Sequence, residues 1–310
     1  MVAIVTLLTE ADLAEEFVAS FRSGRIDEKF FYWFPLSVRA WLALCSDGEY
    51  RNYVRSRSLI AGSAVEIAAL SSKGPIEVLS LGSGQGDKDV ILLEALRNGQ
   101  NVSYVPVDAS QSLLEMACAA GLRAGFPSRG VKADIGRPDH LKALLPDEGT
   151  PPRLVVLIGN TLGAFDPTMP VELAGLLRPE DHLIVDGELF AGEETLGGYD
   201  NPINRRFAWA PLHSVGIGDE DGEIVFEAAT DVAAPGLHAV TKHFRASREV
   251  RAMMGGEEFR LSPGDRVQMS RSGKYSPGAL GALLEGAGLD TRWRGTSDDG
   301  RFEMVMAAHV

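Results

Sequence analysis

The sequence predicts an α/β protein, a doubly wound and largely parallel sheet that carries a second, smaller α+β cap domain. Three observations predict it. From about residue 75 to 190 short apolar runs alternate with helical patterns. A turn with three alternate glycines joins the first of these runs to its helix. From about Glu193 to Arg271 the alternation lapses, and the chain then returns to one helix and two strands. Strands separated by helices pair in parallel and are covered on both faces.

Before the alternation, residues from about 9 to 70 read as helices. "TEADLAEEFVASFRSG" offers a threonine cap, acidic first-turn residues and a closing glycine. "SLIAGSAVEIAALSSKGP" is a second amphipathic run, stopped by Gly-Pro. "PIEVLSL" is the first strand, "VSYVPVD" the second, "GVKAD" the third, "PRLVVLIGN" the fourth and "DHLIVDGEL" the fifth. The lapse, including "HSVGIGDEDGEIVFEAATD", "LHAVTKHFRAS" and "EEFRLSPGDRVQMS", reads as strands and turns. "SPGALGALLEGAGLD" is a helix, and "TRWRGT" and "RFEMVMAAHV" are expected at the sheet edge. The division expected is 1–58 as N-terminal helices belonging to the cap, 59–192 and 273–310 as the ligand-binding core, and 193–272 as an inserted cap. A cleft between the parts is the expected ligand site.

Composition narrows the function. A net charge of −13 argues against a nucleic-acid partner, because phosphate neutralisation needs surplus Lys and Arg. The two cysteines, Cys45 and Cys118, and six scattered histidines show no metal-ligand spacing, so no metal is expected. The N-terminus lacks a basic start, and no uninterrupted apolar run is long enough to span a bilayer. A cytoplasmic protein acting on a small molecule, without a membrane partner, is the expectation; no sequence feature sets an oligomeric state.

The glycine turn, "GSGQGDKD", discriminates among nucleotides. A P-loop needs Gly-Lys followed by a hydroxyl residue, whereas Lys88 lies between Asp87 and Asp89. A dinucleotide loop wants a third glycine where Asp87 stands, an anion in the place of a pyrophosphate. S-Adenosylmethionine carries no phosphate, presents cations, and needs close backbone approach. Asp108, closing the second strand, suits the ribose hydroxyls, and Asp134, at the end of the third, faces the adenine side.

At this point the sequence resembles a family, the histidine Nα-methyltransferases of ergothioneine biosynthesis with the related dimethylallyltryptophan N-methyltransferases. The resemblance implies a class I, Rossmann-like methyltransferase using S-adenosylmethionine. "LGSGQGDK" resembles the family's cofactor loop and implies roles for Gly82, Ser83, Gly84 and Lys88. "YVPVDAS" implies Asp108, "ADIGRPDHL" implies Asp134 and the backbone of Ile135, and "LIGNTLGAFDP" places Gly159 near the cofactor. "EKFFYWF", "GGYDNPINRRF" and "SRSGKYS" resemble substrate-side elements and keep Tyr32, Tyr199 and Ser272 as catalytic candidates for orienting the nucleophile. A further family tyrosine falls on Tyr50 or Tyr53, with Tyr53 taken as substrate-binding together with Asn160, Ala164 and Ser270. Two of these depart from the family: Ala164 stands where an asparagine holds the amino acid, and Ser270 where a glutamate binds imidazole. The implied activity is N-methylation of a small amine, an amino acid or derivative other than histidine. Methylation of oxygen or a ring nitrogen, and a non-catalytic cofactor-binding homologue, are the alternatives.

Overall fold

The structure, a computed structural model, describes residues 3–48, 50–71, 73–97, 101–230, 235–254 and 256–310. The chain opens with β1 (Ala3–Thr6), α1 (Glu10–Arg22), a 3-10 turn at Glu28–Phe31, α2 (Pro35–Ser46) and α3 (Arg51–Leu70). Thr9 caps α1 in a reciprocal capping box with Asp12, which satisfies two otherwise orphaned donors. The alternating part runs β2 (Ile76–Leu81), α4 (Asp87–Leu96), β3 (Val102–Asp108), α5 (Gln111–Arg123), β4 (Arg129–Lys132), α6 (Pro138–Lys142) and β5 (Arg153–Leu157). It continues through a 3-10 turn at Thr161–Ala164, α7 (Met169–Ala174) and β6 (His182–Glu188). After it come α8 (Glu193–Tyr199), α9 (Pro202–Ser214), β7 (Gly222–Thr230), β8 (Leu237–Ala246), β9 (Val250–Met254), β10 (Glu257–Leu261) and β11 (Arg266–Tyr275). The chain closes with α10 (Ala279–Gly286), β12 (Leu289–Thr296) and β13 (Phe302–His309).

Eight strands form one sheet in the order β1-β4-β3-β2-β5-β6-β13-β12. All neighbours pair in parallel except β13, which is antiparallel to both β6 and β12. The chain steps outward from β2 to β4 and then reverses to β5, which opens a crevice at the carboxyl ends of the strands. Every residue of β5 is buried, as expected of a strand covered on both faces. One covering layer packs α3 and α4 through Ile60, Ile67, Leu92 and Leu96. The other packs α6, α7 and α10 through Leu141, Leu173, Leu280 and Leu284.

A third hydrophobic cluster lies above the crevice and joins Phe17, Phe30 and Phe31 to Phe207, Ile224, Val240, Phe244 and Met269. The N-terminal helices therefore share a core with α9 and the antiparallel sheet β11-β8-β7. The β9–β10 ribbon adds Phe259, which packs edge-on against Phe21.

Four features differ from the sequence reading. β1 was not expected; it is four residues long with mostly exposed side chains, too short to show alternation. Two helices, α8 and α9, fill the start of the lapse, where only a helix start in "GGYDNPINRRF" is expected. Pro202 occupies the first turn of α9, where its missing N–H costs nothing. β13 is interior rather than marginal, and its first seven residues are buried. The positions taken as domain limits fall inside elements, 58 within α3 and 272 within β11.

Candidate active site

The loop after β2 is shaped by glycines that only glycine tolerates. Gly82, Gly84 and Gly86 have φ of 67°, 56° and 77°, the left-handed region that L side chains avoid. A Cβ on Gly86 would lie 2.8 Å from the Cα of Ala117, so this glycine also sets how closely the loop approaches α5. Ser83 Oγ is buried with no hydrogen-bond partner among the described residues. Asp108, the last residue of β3, accepts from the N–H groups of Gly84 (2.9 Å) and Ser110 (2.8 Å). Burial nevertheless raises its pKa to about 6, the backbone bonds offsetting only part of the cost.

The two charges after the loop are aimed differently from a phosphate site. Asp87 accepts from the Tyr53 hydroxyl, and Lys88 Nζ donates to Ser56 Oγ at 3.4 Å. Asp89 is buried and accepts from Tyr104, so it serves the core. Asp134 lies two residues beyond β4, not at the strand end. Its Oδ2 pairs with Lys29 at 2.5 Å and its Oδ1 accepts from Gly136 N–H at 2.8 Å. Gly159, after β5, has φ of 99°, and a Cβ there would stand 2.8 Å from Lys88 Nζ.

The turn that begins at Gly159 links this loop to the cap. The N–H groups of Gly159 and Asn160 both donate to Asp186 Oδ1, at 2.6 and 2.7 Å. Asn160, the one non-glycine residue with positive φ among those described, donates through Nδ2 to Ser272 Oγ at 3.1 Å and accepts the Glu188 N–H at 2.8 Å. Glu188 Oε2 gathers Asn52 Nδ2 (2.7 Å), the Tyr199 hydroxyl (3.1 Å) and Lys274 Nζ (3.2 Å). Lys274 in turn donates to Ser272 at 2.6 Å. Burial, and then the charge of Glu188, push the Tyr199 hydroxyl well above the usual tyrosine range. Tyr32 is raised likewise, by burial and then by Glu28.

One cavity of about 710 Å³ runs between the sheet edge and the cap. All of the candidates face it: Gly82, Ser83, Gly84, Lys88, Asp108, Asp134, Ile135 and Gly159 at one end, and Tyr32, Tyr199, Ser272, Asn160, Ala164 and Ser270 toward the other, with Tyr53 between. Tyr53 reaches the glycine loop through Asp87 and Gln85, while Tyr50 stacks edge-on with Trp41. Trp41, Tyr32 and Phe207 form the aromatic wall of the cap end. The sequence reading missed Asn52, Glu188, Glu28 and Lys242. Glu188 carried a signal, an acid within a buried apolar strand; Asn52 carried none. Among the described residues no group of His, Cys, Asp or Glu could hold a metal, and no helix is long and apolar enough to cross a membrane.

Comparison with known proteins identifies the family. Residues 13–196 match the model of the histidine-specific, S-adenosylmethionine-dependent methyltransferases. The chain belongs to this family. It is 28% identical over 244 residues to the histidine N-alpha-methyltransferase of Mycobacterium tuberculosis, covering 74% of each chain. The corresponding enzyme of Mycolicibacterium smegmatis is 26% identical over 251 residues, 77% of each chain. The N-methyltransferase imqF of Aspergillus flavus is 22% identical over 313 residues, covering 94% of this chain and 83% of that one.

As a member of the family, the protein is an S-adenosylmethionine-dependent methyltransferase of α/β class I fold. Its residues fit that donor. The left-handed glycines leave backbone open to close approach, Ser83 Oγ is buried without a partner among the described residues, and Asp108 presents a carboxylate at the strand end. Lys88, flanked by two acids, gives no phosphate cradle.

Proposed function

We propose that this methyltransferase acts on the nitrogen of a small amine, an amino acid or derivative other than histidine. The observation that carries the reading is the Gly159–Asn160 turn. Its backbone closes the donor end of the cavity, while the Asn160 side chain belongs to the hydrogen-bond network of the acceptor end. In this reading Gly82, Ser83, Gly84, Lys88, Asp108, Asp134, Ile135 and Gly159 hold the donor. The N-terminal helices, with α8, α9 and the β11-β8-β7 sheet, supply the acceptor side. At that side Ala164 and Ser270 present a methyl and a small hydroxyl, leaving room but few anchors for an imidazole.

Bound S-adenosylmethionine supplies an electrophilic methyl on a sulfonium. The chain's task is to align a nitrogen lone pair with that methyl and to exclude water, so positioning carries much of the rate. Tyr32, Tyr199 and Ser272 do this by hydrogen bonding. The raised pKa values of both tyrosines make them poor proton acceptors near neutrality, so they orient the amine rather than deprotonate it. Calorimetry with S-adenosylmethionine, followed by mass spectrometry of products from a panel of amines that includes histidine, tests the reading. Failure to bind the donor, or histidine as the preferred acceptor, would overturn it.

A further inference from the structure

Among the described residues one cation at the acceptor end has no oxygen partner. Lys242 lies in the middle of β8, the central strand of the cap sheet, and is 5% exposed. Among the described residues its Nζ has no hydrogen bond and no ion pair. Its surroundings are ring faces, Phe31 at 5.2 Å, Phe207 at 5.3 Å and Tyr199 at 6.0 Å from Nζ to centroid. The acid whose field reaches it is Glu28, whose buried Oε2 has no hydrogen-bond partner among the described residues. Lys274, the other buried lysine of the cap end, differs entirely: Ser272 and Glu188 satisfy it.

The register of the cap sheet supplies the second element. Lys242 and Ser270 are cross-strand partners on β8 and β11, so their side chains share a face, and both line the cavity. Ser270 is 3% exposed and presents its hydroxyl on the cavity wall. A buried ammonium without an oxygen partner is costly, and aromatic faces return only part of that cost. An ammonium and a hydroxyl side by side on a cavity wall can donate together to an anion. A single negative charge suits it, because one cation is available and Glu28 already stands nearby.

We propose that Lys242 anchors a carboxylate of the methyl acceptor, one oxygen on its ammonium and the other on the Ser270 hydroxyl. Lys242 is then a specificity-determining residue, and the acceptor is an amine that also carries an acid group. This rests on the methyl-transfer reading above and narrows it.

The test uses matched acceptors: the proteinogenic amino acids and their carboxamides, which keep shape and lose charge, together with phosphoethanolamine. On the wild-type protein the preferred acceptor carries a carboxylate, and replacing that carboxylate by the amide lowers kcat/KM roughly 10- to 150-fold, the worth of a charge-assisted hydrogen bond. Lys242→Met lowers turnover of the acid by the same factor and leaves the amide within about threefold. Lys242→Arg retains part of the preference. Equal use of acid and amide by the wild type overturns the proposal without any variant, as does turnover confined to amines without a carboxylate or to phosphoethanolamine. An equal loss on acid and amide in Lys242→Met overturns it too. S-Adenosylhomocysteine binding, measured on each protein, separates the two levels. A wild type that fails to bind it removes the methyl-transfer reading and this inference together, whereas binding with the wrong acceptor preference removes this inference alone.

Discussion

At the end of the cavity proposed to hold the donor, the chain offers the backbone of the glycine loop, the Asp108 carboxylate at the end of β3, and Asp134 just beyond β4. At the acceptor end it offers side chains from the 3-10 turn at Glu28–Phe31 and from α2, α3, α8, α9, β8 and β11. The first arrangement is local: Gly82, Gly84 and Asp108 lie within one β–α–β unit, and their geometry follows from strand order. The second is assembled across the chain. Glu188 alone joins Asn52, 136 residues earlier, to Tyr199 and Lys274. A donor site made of backbone can stay constant while the acceptor wall is changed one side chain at a time. This division of labour lets one fold serve several acceptors.

The comparison is broken most severely at Asp108. If it holds the ribose through its carboxylate, Asp108→Ala removes two charge-assisted hydrogen bonds and weakens S-adenosylmethionine binding by roughly 10²- to 10⁴-fold. Acceptor preference, measured at saturating donor, stays the same. An affinity within threefold of wild type by calorimetry would move the ribose elsewhere.

The same contrast explains what was legible beforehand. The parallel strands of the sheet followed from apolar runs of strand length separated by helices, and the donor-site candidates were read from a glycine turn with Asp108 closing the next strand. Of residues 193–214 only a helix start in "GGYDNPINRRF" was legible, because Gly197, Gly198 and Pro211 interrupt a helical pattern yet are accommodated within α8 and α9. Tyr32, Tyr199 and Ser272 could be named only through a family resemblance. Their partners Asn52 and Glu188 could not, since nothing in a linear pattern says which polar groups meet across 136 residues. Lys242 was hidden for a related reason: in "LHAVTKHFRA" it looks like an ordinary polar position, and only packing of α9 and the Glu28–Phe31 turn over β8 buries it.

The seam between the two ends is the next place to press. Gly163 sits against β11, and a Cβ there would fall 2.6 Å from Gly273 O and 2.7 Å from Asn160 Nδ2. The obstacle includes backbone, so Gly163→Ala forces the 3-10 turn and β11 apart, at about 1–3 kcal/mol of stability. Denaturant unfolding measures the loss. Donor affinity is expected to hold within twofold while acceptor turnover falls; an equal decline in both would mean that the seam supports the donor end as well.

Tyr199→Phe is a gentler probe of the acceptor end. It removes one hydroxyl from Glu188 and Asn52 and leaves the ring in place. The hydrogen bond that the phenol would give the acceptor amine, neutral on both sides and worth about 1–1.5 kcal/mol, corresponds to a drop of roughly tenfold in acceptor kcat/KM. Donor binding, measured calorimetrically, should not change. Unaltered acceptor kinetics would reduce Tyr199 to a packing residue.

The mildest effect is one of pH, and it separates the two ends without mutation. The Asp108 pKa is raised from 3.8 to about 6 by burial, so the carboxylate takes up a proton as pH falls through 6. Ribose hydroxyls donate to the ionised form, and donor affinity must fall with that protonation. Between pH 7.5 and 5.5 the expected weakening is about fourfold, and it steepens toward tenfold per unit below that. Stability moves the other way. The folded protein binds this proton more tightly than the unfolded chain, so Asp108's share of stability is present at low pH and is lost as pH rises through about 6. Donor affinity measured from pH 5 to 8, in wild type and in Asp108→Asn, checks the assignment. Asn carries no titrating proton, so its weaker affinity should be flat across the range. A wild-type curve equally flat would mean that Asp108 stays ionised throughout, and that the donor end, unlike the acceptor end, is solvated well enough to keep its carboxylate charged.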